Sequence, residues 1–267
     1  MRHYNALVFF SYNKPFFLSL FPLCFHTQDN TPFEKGNTLP YHPHSHAANS
    51  GVSTFKEYLM KNVVILISGR GSNMQAIVNA SIPNAHICAV LSNSENAAGL
   101  AWAAERGIAT GALNHKAFAN RLAFDTAMMA LIDTYQPDLV VLAGFMRILT
   151  PEFCKHYEGR LINIHPSILP AFTGLHTHQR ALEAGCRVAG CTIHFVTAEL
   201  DCGPIISQGI VPILAGDTAD DIAARVLQVE HQLFPQAVAD FVAGRLHIDG
   251  NRVLGSSIQP ADATLLA

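Results

Sequence analysis

The chain has 267 residues, of which 49% are hydrophobic and 14% are charged, and its formal net charge is -3. This length is enough to bury one large core or two closely joined halves. A net charge so near zero provides no broad basic surface, so electrostatics does not favour a nucleic acid or an anionic membrane as partner. A small-molecule substrate is the default expectation.

Residues 1–59 differ from the rest of the chain, because they are rich in Phe, His, Pro, Asn and Ser and show no sustained helical or strand period. Their apolar run at residues 15–25 contains Pro22, is too short for a membrane helix and is followed by no typical signal-peptide cleavage site. Secretion is therefore disfavoured. We interpret residues 1–59 as an N-terminal extension, either disordered or preceding the true start at Met60.

The six cysteines are scattered and form no C-x-x-C pair. This spacing matches neither a disulfide framework nor a zinc site. Reduced thiols and a cytoplasmic location are the simplest expectation.

From Met60 onward, apolar runs alternate with helical patterns. The runs are residues 63–67, 87–92 and 138–145, and the helical patterns that follow them are 73–80, 97–107 and 150–159. Short apolar runs of this kind are typical of strands covered on both faces, with helices as crossovers. The expected fold is α/β, a Rossmann-like and mostly parallel twisted sheet flanked by helices. Thr150 and Pro151 predict the start of one of these helices.

The pattern changes in the second half of the chain. Residues 190–214 predict two strands joined by an acidic, glycine-containing turn. A long helix should follow, capped by Asp217 or Thr218, with an apolar stripe formed by Ile222, Val226, Val229 and Leu233. We therefore expect a domain at residues 60–250, with halves at 60–160 and 161–250, and a loose tail at 251–267.

The sequence "SGRGSN", residues 68–73, connects the first predicted strand to the first helix. Such a loop presents unpaired N–H groups and the positive end of a helix dipole, which favours a phosphate. Met74 stands where a dinucleotide fingerprint needs its third glycine, and neither a ribose-binding acid nor a Walker lysine follows. Ser72 and Asn73 could help to bind one phosphate monoester, cap the helix, or do both.

Asn163, His165 and Asp201 are candidate catalytic residues. The first two are two positions apart on a predicted strand, so their side chains leave the same face, at the end where α/β sheets bind ligands. An amide, an imidazole and a carboxylate together can stabilise an oxyanion and move protons in acyl transfer. Singly, each also fits a structural role in a turn or the core. On an alternating strand, His194 and Thr192 would share a face directed toward His165.

Two histidine clusters could suggest a metal site. They are His176 with His178, and the group formed by His42, His44 and His46. Neither cluster has a Glu or Cys partner at a recognisable ligand spacing. We expect no bound metal.

Five blocks of the sequence resemble a known family. They are "ISGRGSNMQAI", "VVLAGFMRIL", "INIHPSILPAFTGLHTH", "GCTIHFVTAELDCGPII" and "VLQVEHQLFP". Together, over about residues 61–250, they closely resemble the monofunctional, folate-dependent phosphoribosylglycinamide formyltransferases of purine synthesis. The resemblance implies the formyltransferase fold and direct attack of the glycinamide ribonucleotide amine on the formyl group of 10-formyltetrahydrofolate, through a tetrahedral intermediate. It also implies a monomer or homodimer that acts on small molecules without a metal, a nucleic acid or a membrane.

The resemblance assigns roles to residues that match the family's motifs. The catalytic residues would be Asn163, His165 and Asp201, with His194 in support. The residues expected to bind the ribonucleotide are Gly71, Ser72 and Asn73 at its phosphate, together with Glu230. The residues expected to bind the folate are Arg121, Met146, Arg147, Ile148, Leu149, Asn163, Thr197 and Asp201. The family often has two glycines after the aspartate, whereas this chain has Cys202 and Gly203, which affects the local turn.

Four other functions share single features with this sequence. A formyltetrahydrofolate deformylase would usually carry an N-terminal βαβ regulatory domain, and residues 1–59 show no such pattern. A methionyl-tRNA formyltransferase would need a C-terminal RNA-binding domain and a basic surface. A nicotinamide-dependent oxidoreductase is suggested only by Gly69 and Gly71, and a non-catalytic ligand-binding or metal-binding module only by isolated polar residues.

Overall fold

The computed structural model describes residues 59–258, which lie in the compact unit Phe55–Ala267. The interpretation of residues 1–59 therefore concerns residues that, apart from Leu59, lie outside the described range. The same holds for the part of the expected tail beyond residue 258. Among the described residues, no helix is long and apolar enough to span a membrane.

Within residues 59–258, nine strands form one sheet. They are β1 (Lys61–Ile67), β2 (Ala85–Ser92), β3 (Ala109–Ala112), β4 (Leu139–Leu142), β5 (Leu161–His165), β6 (Val188–Phe195), β7 (Ile205–Pro212), β8 (His247–Asp249) and β9 (Arg252–Leu254). The helices are α1 (Ser72–Asn79), α2 (Ala98–Ala104), α3 (Arg121–Asp133), α4 (Pro151–His156), α5 (Thr177–Glu183) and α6 (Ala219–Val242). A 3₁₀ helix spans His115–Ala117.

The strand order is β3-β2-β1-β4-β5-β6-β7-β9-β8. Neighbouring strands from β3 to β5 are parallel, and β6 is antiparallel to both β5 and β7. The chain leaves β1 toward β2 and β3 and then returns to β4 on the other side. The carboxyl ends of β1 and β4 therefore border the crevice where open α/β sheets bind ligands. The predicted fold class is confirmed.

The core lies on both faces of the sheet. In β1, Val63, Ile65 and Ile67 contribute to a cluster that also contains buried residues of α1 and α6, whereas Val64 and Leu66 contribute to a cluster with α3 and α4. All five side chains are fully buried. A strand covered on both faces reads as a continuous apolar run, which explains why β1 was predictable.

Local capping signals set the helix ends as predicted. Thr150 is the N-cap of α4 and accepts a hydrogen bond from the N–H of Phe153, and Pro151 is the first helical residue. Thr218 caps α6 in a reciprocal capping box with Asp221. The predicted apolar stripe of α6 is buried. The two predicted strands at residues 190–214 correspond to β6 and β7.

The structure differs from the expected loose tail over residues 252–258. Strand β9 pairs with β8 and, through Arg252, with Ile205 of β7. The backbone N–H of Ser257 then donates to Oδ2 of the buried Asp240 at 2.8 Å. Burial alone would raise the pKa of Asp240, but hydrogen bonds from Ser257 and Arg245 outweigh it and hold the pKa below its usual range. Two contacts therefore hold the segment: β9 pairs with the edge of β7, and Ser257 donates a hydrogen bond to the buried carboxylate of Asp240.

Candidate functional site

The 68–73 loop connects β1 to α1. Gly71 precedes the helix with φ 71°, a left-handed conformation that favours glycine. A Cβ at this position would also lie only 3.0 Å from Cε of Met74. No side chain among the described residues caps α1, so the N–H groups of its first turn can donate to an anion.

The 68–73 loop borders a cleft of about 290 Å3 at the carboxyl ends of β1 and β4. Ala143, Gly144 and Met146, which follow β4, form the opposite side. The cleft is thus located at the crevice where the strand order reverses. This position is the one that open α/β folds use for phosphate-bearing ligands.

Asn73 connects the 68–73 loop to α6. Its Nδ2 donates a 2.7 Å hydrogen bond to Oε2 of Glu230, and both side chains are buried. Burial raises the pKa of Glu230, whereas the hydrogen bond from Asn73 favours the ionised form. Because Gly71 is the N-cap and Asn73 bonds to Glu230, the alternative in which Ser72 and Asn73 cap the helix is wrong.

Asn163 and His165 lie on β5 beside the antiparallel β6. Asn163 is opposite His194, and His165 is opposite Thr192. Nδ2 of Asn163 lies 3.2 Å from Nε2 of His194, and Nδ1 of His194 lies 2.8 Å from the carbonyl oxygen of Phe195. The register thus places His194 and Thr192 opposite Asn163 and His165, and the hydrogen-bond partner of His194 on β5 is Asn163.

The contacts of His194 define its protonation. A carbonyl oxygen only accepts, so Nδ1 carries the proton and Nε2 accepts from the amide of Asn163. Burial lowers the pKa of His194, which keeps the ring neutral near pH 7. One N–H of the Asn163 amide is thus used by His194, and the second can donate to a substrate oxygen.

His165 lies between two oxygen acceptors. Its Nδ1 is 3.6 Å from Oδ2 of Asp201, and its Nε2 is 3.1 Å from the carbonyl oxygen of Phe172. The side chains of His165 and Asp201 are each 8% exposed, so the contact between imidazole and carboxylate is shielded from solvent. The backbone N–H of Gly174 donates to the same Asp201 oxygen at 2.8 Å. The carboxylate is therefore held in place beside the imidazole.

The turn that carries Asp201 depends on Gly203. A Cβ at residue 203 would lie 1.8 Å from the carbonyl oxygen of Phe195, a distance that no side chain permits. The N–H of Phe195 donates to the carbonyl of Pro204 at 2.9 Å, which closes the turn. Cys202 is exposed. Cys202 therefore replaces a glycine at an exposed position, and the tightly packed position 203 is still a glycine.

The 146–149 segment follows β4 on the far side of the cleft. Met146 and Ile148 are 67% and 58% exposed, whereas Leu149 is buried. The guanidinium of Arg147 lies 4.8 Å from the ring centroid of Phe124, and its buried Nε has no partner among the described residues. The segment thus exposes two apolar side chains, and Met146 lines the cleft.

Arg121 and Thr197 lie at the periphery of the predicted site. Arg121 is the first residue of α3 and is exposed. Thr197 is also exposed, and its hydroxyl donates to the carbonyl of Glu199 at 3.2 Å. Within residues 59–258, no hydrogen bond connects either residue to Asn163, His165 or Asp201.

A metal interpretation finds no support at the described histidines. His176 is the residue before α5, and His178 lies within it. Among the described residues, no group of three or more His, Cys, Asp or Glu side chains is arranged to hold a metal ion. The group formed by His42, His44 and His46 lies outside the described residues.

The sequence profile described as formyl transferase matches residues 61–238. The chain belongs to the formyl transferase family. The predicted family resemblance is confirmed.

Relatives of this formyl transferase match most of its described part. The phosphoribosylglycinamide formyltransferase of Escherichia coli strain K12 is 52% identical over 193 residues, which are 71% of this chain and 91% of that protein. The crystal structure of glycinamide ribonucleotide transformylase 1 from Symbiobacterium toebii superposes with a TM-score of 0.72 at 42% identity, covering 75% of this chain and 96% of that chain. The crystal structure of phosphoribosylglycinamide formyltransferase from Brucella melitensis gives a TM-score of 0.65 at 51% identity, covering 71% and 99%.

Several groups around the formyl transferase site were missed in the sequence. The carbonyl of Phe172 and the N–H of Gly174 are backbone groups, so no residue type indicates them. Ser68 and Asn93 carried a usable signal, because each is a polar residue directly after a buried parallel strand. Their hydrogen bond, 2.6 Å from the Ser68 hydroxyl to Oδ1 of Asn93, joins residues at the ends of neighbouring strands.

Proposed function

We propose that this formyl transferase transfers the formyl group of 10-formyltetrahydrofolate to the amine of 5-phosphoribosylglycinamide, as a step of purine synthesis. The observation that carries the proposal is the 52% identity to the E. coli phosphoribosylglycinamide formyltransferase over 91% of its length. The site adds chemical support, because the glycine-containing 68–73 loop follows β1, whereas Asn163 and His165 lie on β5, and both strands pair in parallel with β4.

Binding of the ribonucleotide is assigned to the 68–73 loop and Glu230. Gly71, Ser72 and Asn73 would donate to the 5′-phosphate, which suits the uncapped start of α1. Asn73 also bonds to Glu230, so the group that binds the phosphate is rigidly connected to the one expected near the ribose or glycinamide. The phosphate anchor fixes one end of the substrate, and the amine is carried toward β5.

Binding of the folate is assigned to the 146–149 segment, with Arg121 and Thr197 at the edge of the site. Met146 and Ile148 provide exposed apolar surface against which a planar heterocycle can pack. A folate bound there would bring its formyl group between the two sides of the cleft. Holding two reactants in this way can supply much of the rate enhancement.

The chemical step is direct attack of the substrate amine on the formyl carbon. The carbonyl oxygen becomes an oxyanion, and the free N–H of Asn163 would donate to it. The Nε2–H of His165 would be the second donor, turning to the oxyanion from the carbonyl oxygen of Phe172 that it contacts in this structure. The attacking nitrogen loses a proton and the folate nitrogen gains one, with Asp201 or a water bound to it as the carrier. The tetrahedral intermediate then collapses to the N-formyl product and tetrahydrofolate, and no covalent enzyme intermediate is formed.

Formation of tetrahydrofolate, measured with and without glycinamide ribonucleotide, tests the proposal. We expect turnover only when the acceptor is present. A matched acceptor that lacks the 5′-phosphate should be used poorly, because the 68–73 loop then has no anion to bind. Equal turnover without any acceptor would instead identify a hydrolase.

The remaining expectations follow from this proposal and stay predictions. They are a cytoplasmic location, a monomer or homodimer, and chemistry without a metal ion.

A further inference from the structure

Ser68 lies between the two sides of the cleft, directly after β1. We propose that Ser68 is a positioning residue that fixes the 68–73 loop relative to the 146–149 segment. The inference rests on the proposed function, because the relative position of the two elements matters only if they bind the two substrates of one reaction.

The hydroxyl of Ser68 makes two hydrogen bonds with defined directions. It donates to Oδ1 of Asn93 at 2.6 Å and accepts from the backbone N–H of Met146 at 2.8 Å. A hydroxyl has a single proton, so the bond to Asn93 leaves its lone pairs for Met146. The N–H of Ser68 also donates to the carbonyl of Gly144 at 3.1 Å. One residue of the 68–73 loop therefore contacts the chain after β4 through both its backbone and its side chain.

Asn93 is the support that orients this hydroxyl. It follows β2 and is buried, and its own carbonyl oxygen lies 3.1 Å from Nδ1 of His115. Asn93 is not among the residues that line the cleft. Its effect on the reaction would therefore be transmitted through Ser68.

The other end of the 146–149 segment has a separate anchor. Oδ2 of the fully buried Asp125 accepts from the N–H of Thr150 at 2.7 Å. This anchor comes from α3 and does not involve the 68–73 loop. Loss of the Ser68 hydroxyl should therefore leave the segment folded but free to shift relative to the loop. A shift of about 1 Å between bound reactants can cost about 100-fold in rate.

Steady-state kinetics of the full chain with both substrates test this role. We expect Ser68→Ala to lower kcat about 10- to 100-fold while each KM stays within about threefold. Ser68→Thr keeps the hydroxyl and should recover most of the loss. Asn93→Ala should reproduce the loss, and the double variant should be no slower than the slower single variant, because both remove the same contact. Ser94→Ala, one position further along the same turn, is the matched control and should keep wild-type kcat.

Hydrogen exchange provides a readout that does not depend on activity. The amide of Met146 should exchange faster in Ser68→Ala than in the wild type or Ser94→Ala, because its acceptor has been removed. If the wild type is active and Ser68→Ala has an unchanged kcat or an unchanged exchange rate at Met146, this inference is wrong and the proposed function stands. A wild type without acceptor-dependent transfer would overturn the proposed function and the inference with it.

Discussion

The buried hydrogen bond between Asn73 and Glu230 makes a quantitative prediction about stability. Asn73→Ala removes the donor of a 2.7 Å bond and leaves a buried carboxylate without it. Hydrogen bonds to charged groups contribute about 1.5–3 kcal/mol, and an unpaired buried partner adds its desolvation cost. We expect the variant to lose about 2–3 kcal/mol of unfolding free energy at pH 8.

The same loss should depend on pH. Burial already raises the pKa of Glu230 in the folded chain, and removal of the Asn73 hydrogen bond raises it further. Above both folded pKa values the full cost of the unpaired carboxylate is present. Below them Glu230 is protonated in wild type and variant alike, and the difference in stability shrinks. The destabilisation by Asn73→Ala should therefore increase as pH rises from 5 to 8, by about 1.4 kcal/mol for each unit of pKa difference.

Urea unfolding at pH 5 and pH 8, followed by circular dichroism and by fluorescence of the single tryptophan, Trp102, measures this difference. Glu230→Gln provides the control, because it occupies similar space and does not titrate. In the Glu230→Gln background, Asn73→Ala should lower the free energy of unfolding by the same amount at pH 5 and pH 8. Equal destabilisation by Asn73→Ala at pH 5 and pH 8 in the wild-type background would refute this explanation.

Three further predictions concern the catalytic turn and the C-terminal segment. Asp201→Asn should lower kcat about 10²- to 10⁴-fold with little change in KM, and near-wild-type turnover in steady-state kinetics would contradict its role. Gly203→Ala places a Cβ 1.8 Å from the Phe195 carbonyl oxygen, so both activity and Tm should fall, and an unchanged Tm would contradict the packing. Asp240→Ala leaves the donors of Ser257 unpaired and should lower the free energy of unfolding by about 1–3 kcal/mol at pH 7. Because hydrogen bonds lower the pKa of Asp240, the wild-type free energy of unfolding should decrease as the pH drops below about 4. Urea unfolding of Asp240→Ala should show a smaller decrease over the same pH range.

Features of the fold that depend on local sequence were predictable. Thr150 lies directly before Pro151, and Thr218, one of the two predicted caps, lies just before the apolar stripe of α6, so each indicates a helix start without reference to the rest of the chain. The continuous apolar run of β1 likewise reports burial on both faces. The family resemblance added the catalytic assignments, which local patterns left open.

Features that depend on distant contacts were not predictable. Asn73 and Glu230 are 157 positions apart, and Ser68 and Met146 are 78 apart. The polar character of these residues was visible, but which partner each one bonds is decided by the sheet order. The paired segment after residue 250 was missed for the same reason, since its three-residue strand depends on pairing with other strands and on the contact of Ser257 with Asp240.

Transfer of a carbon-13-labelled formyl group tests the proposed reaction most directly. The full chain is mixed with labelled 10-formyltetrahydrofolate and glycinamide ribonucleotide, and the label is followed by NMR. We predict that the label appears on the product nitrogen in equal amount to the tetrahydrofolate formed, and that the donor stays intact when the acceptor is omitted. Release of the label as formate at the same rate with and without the acceptor would contradict the proposal.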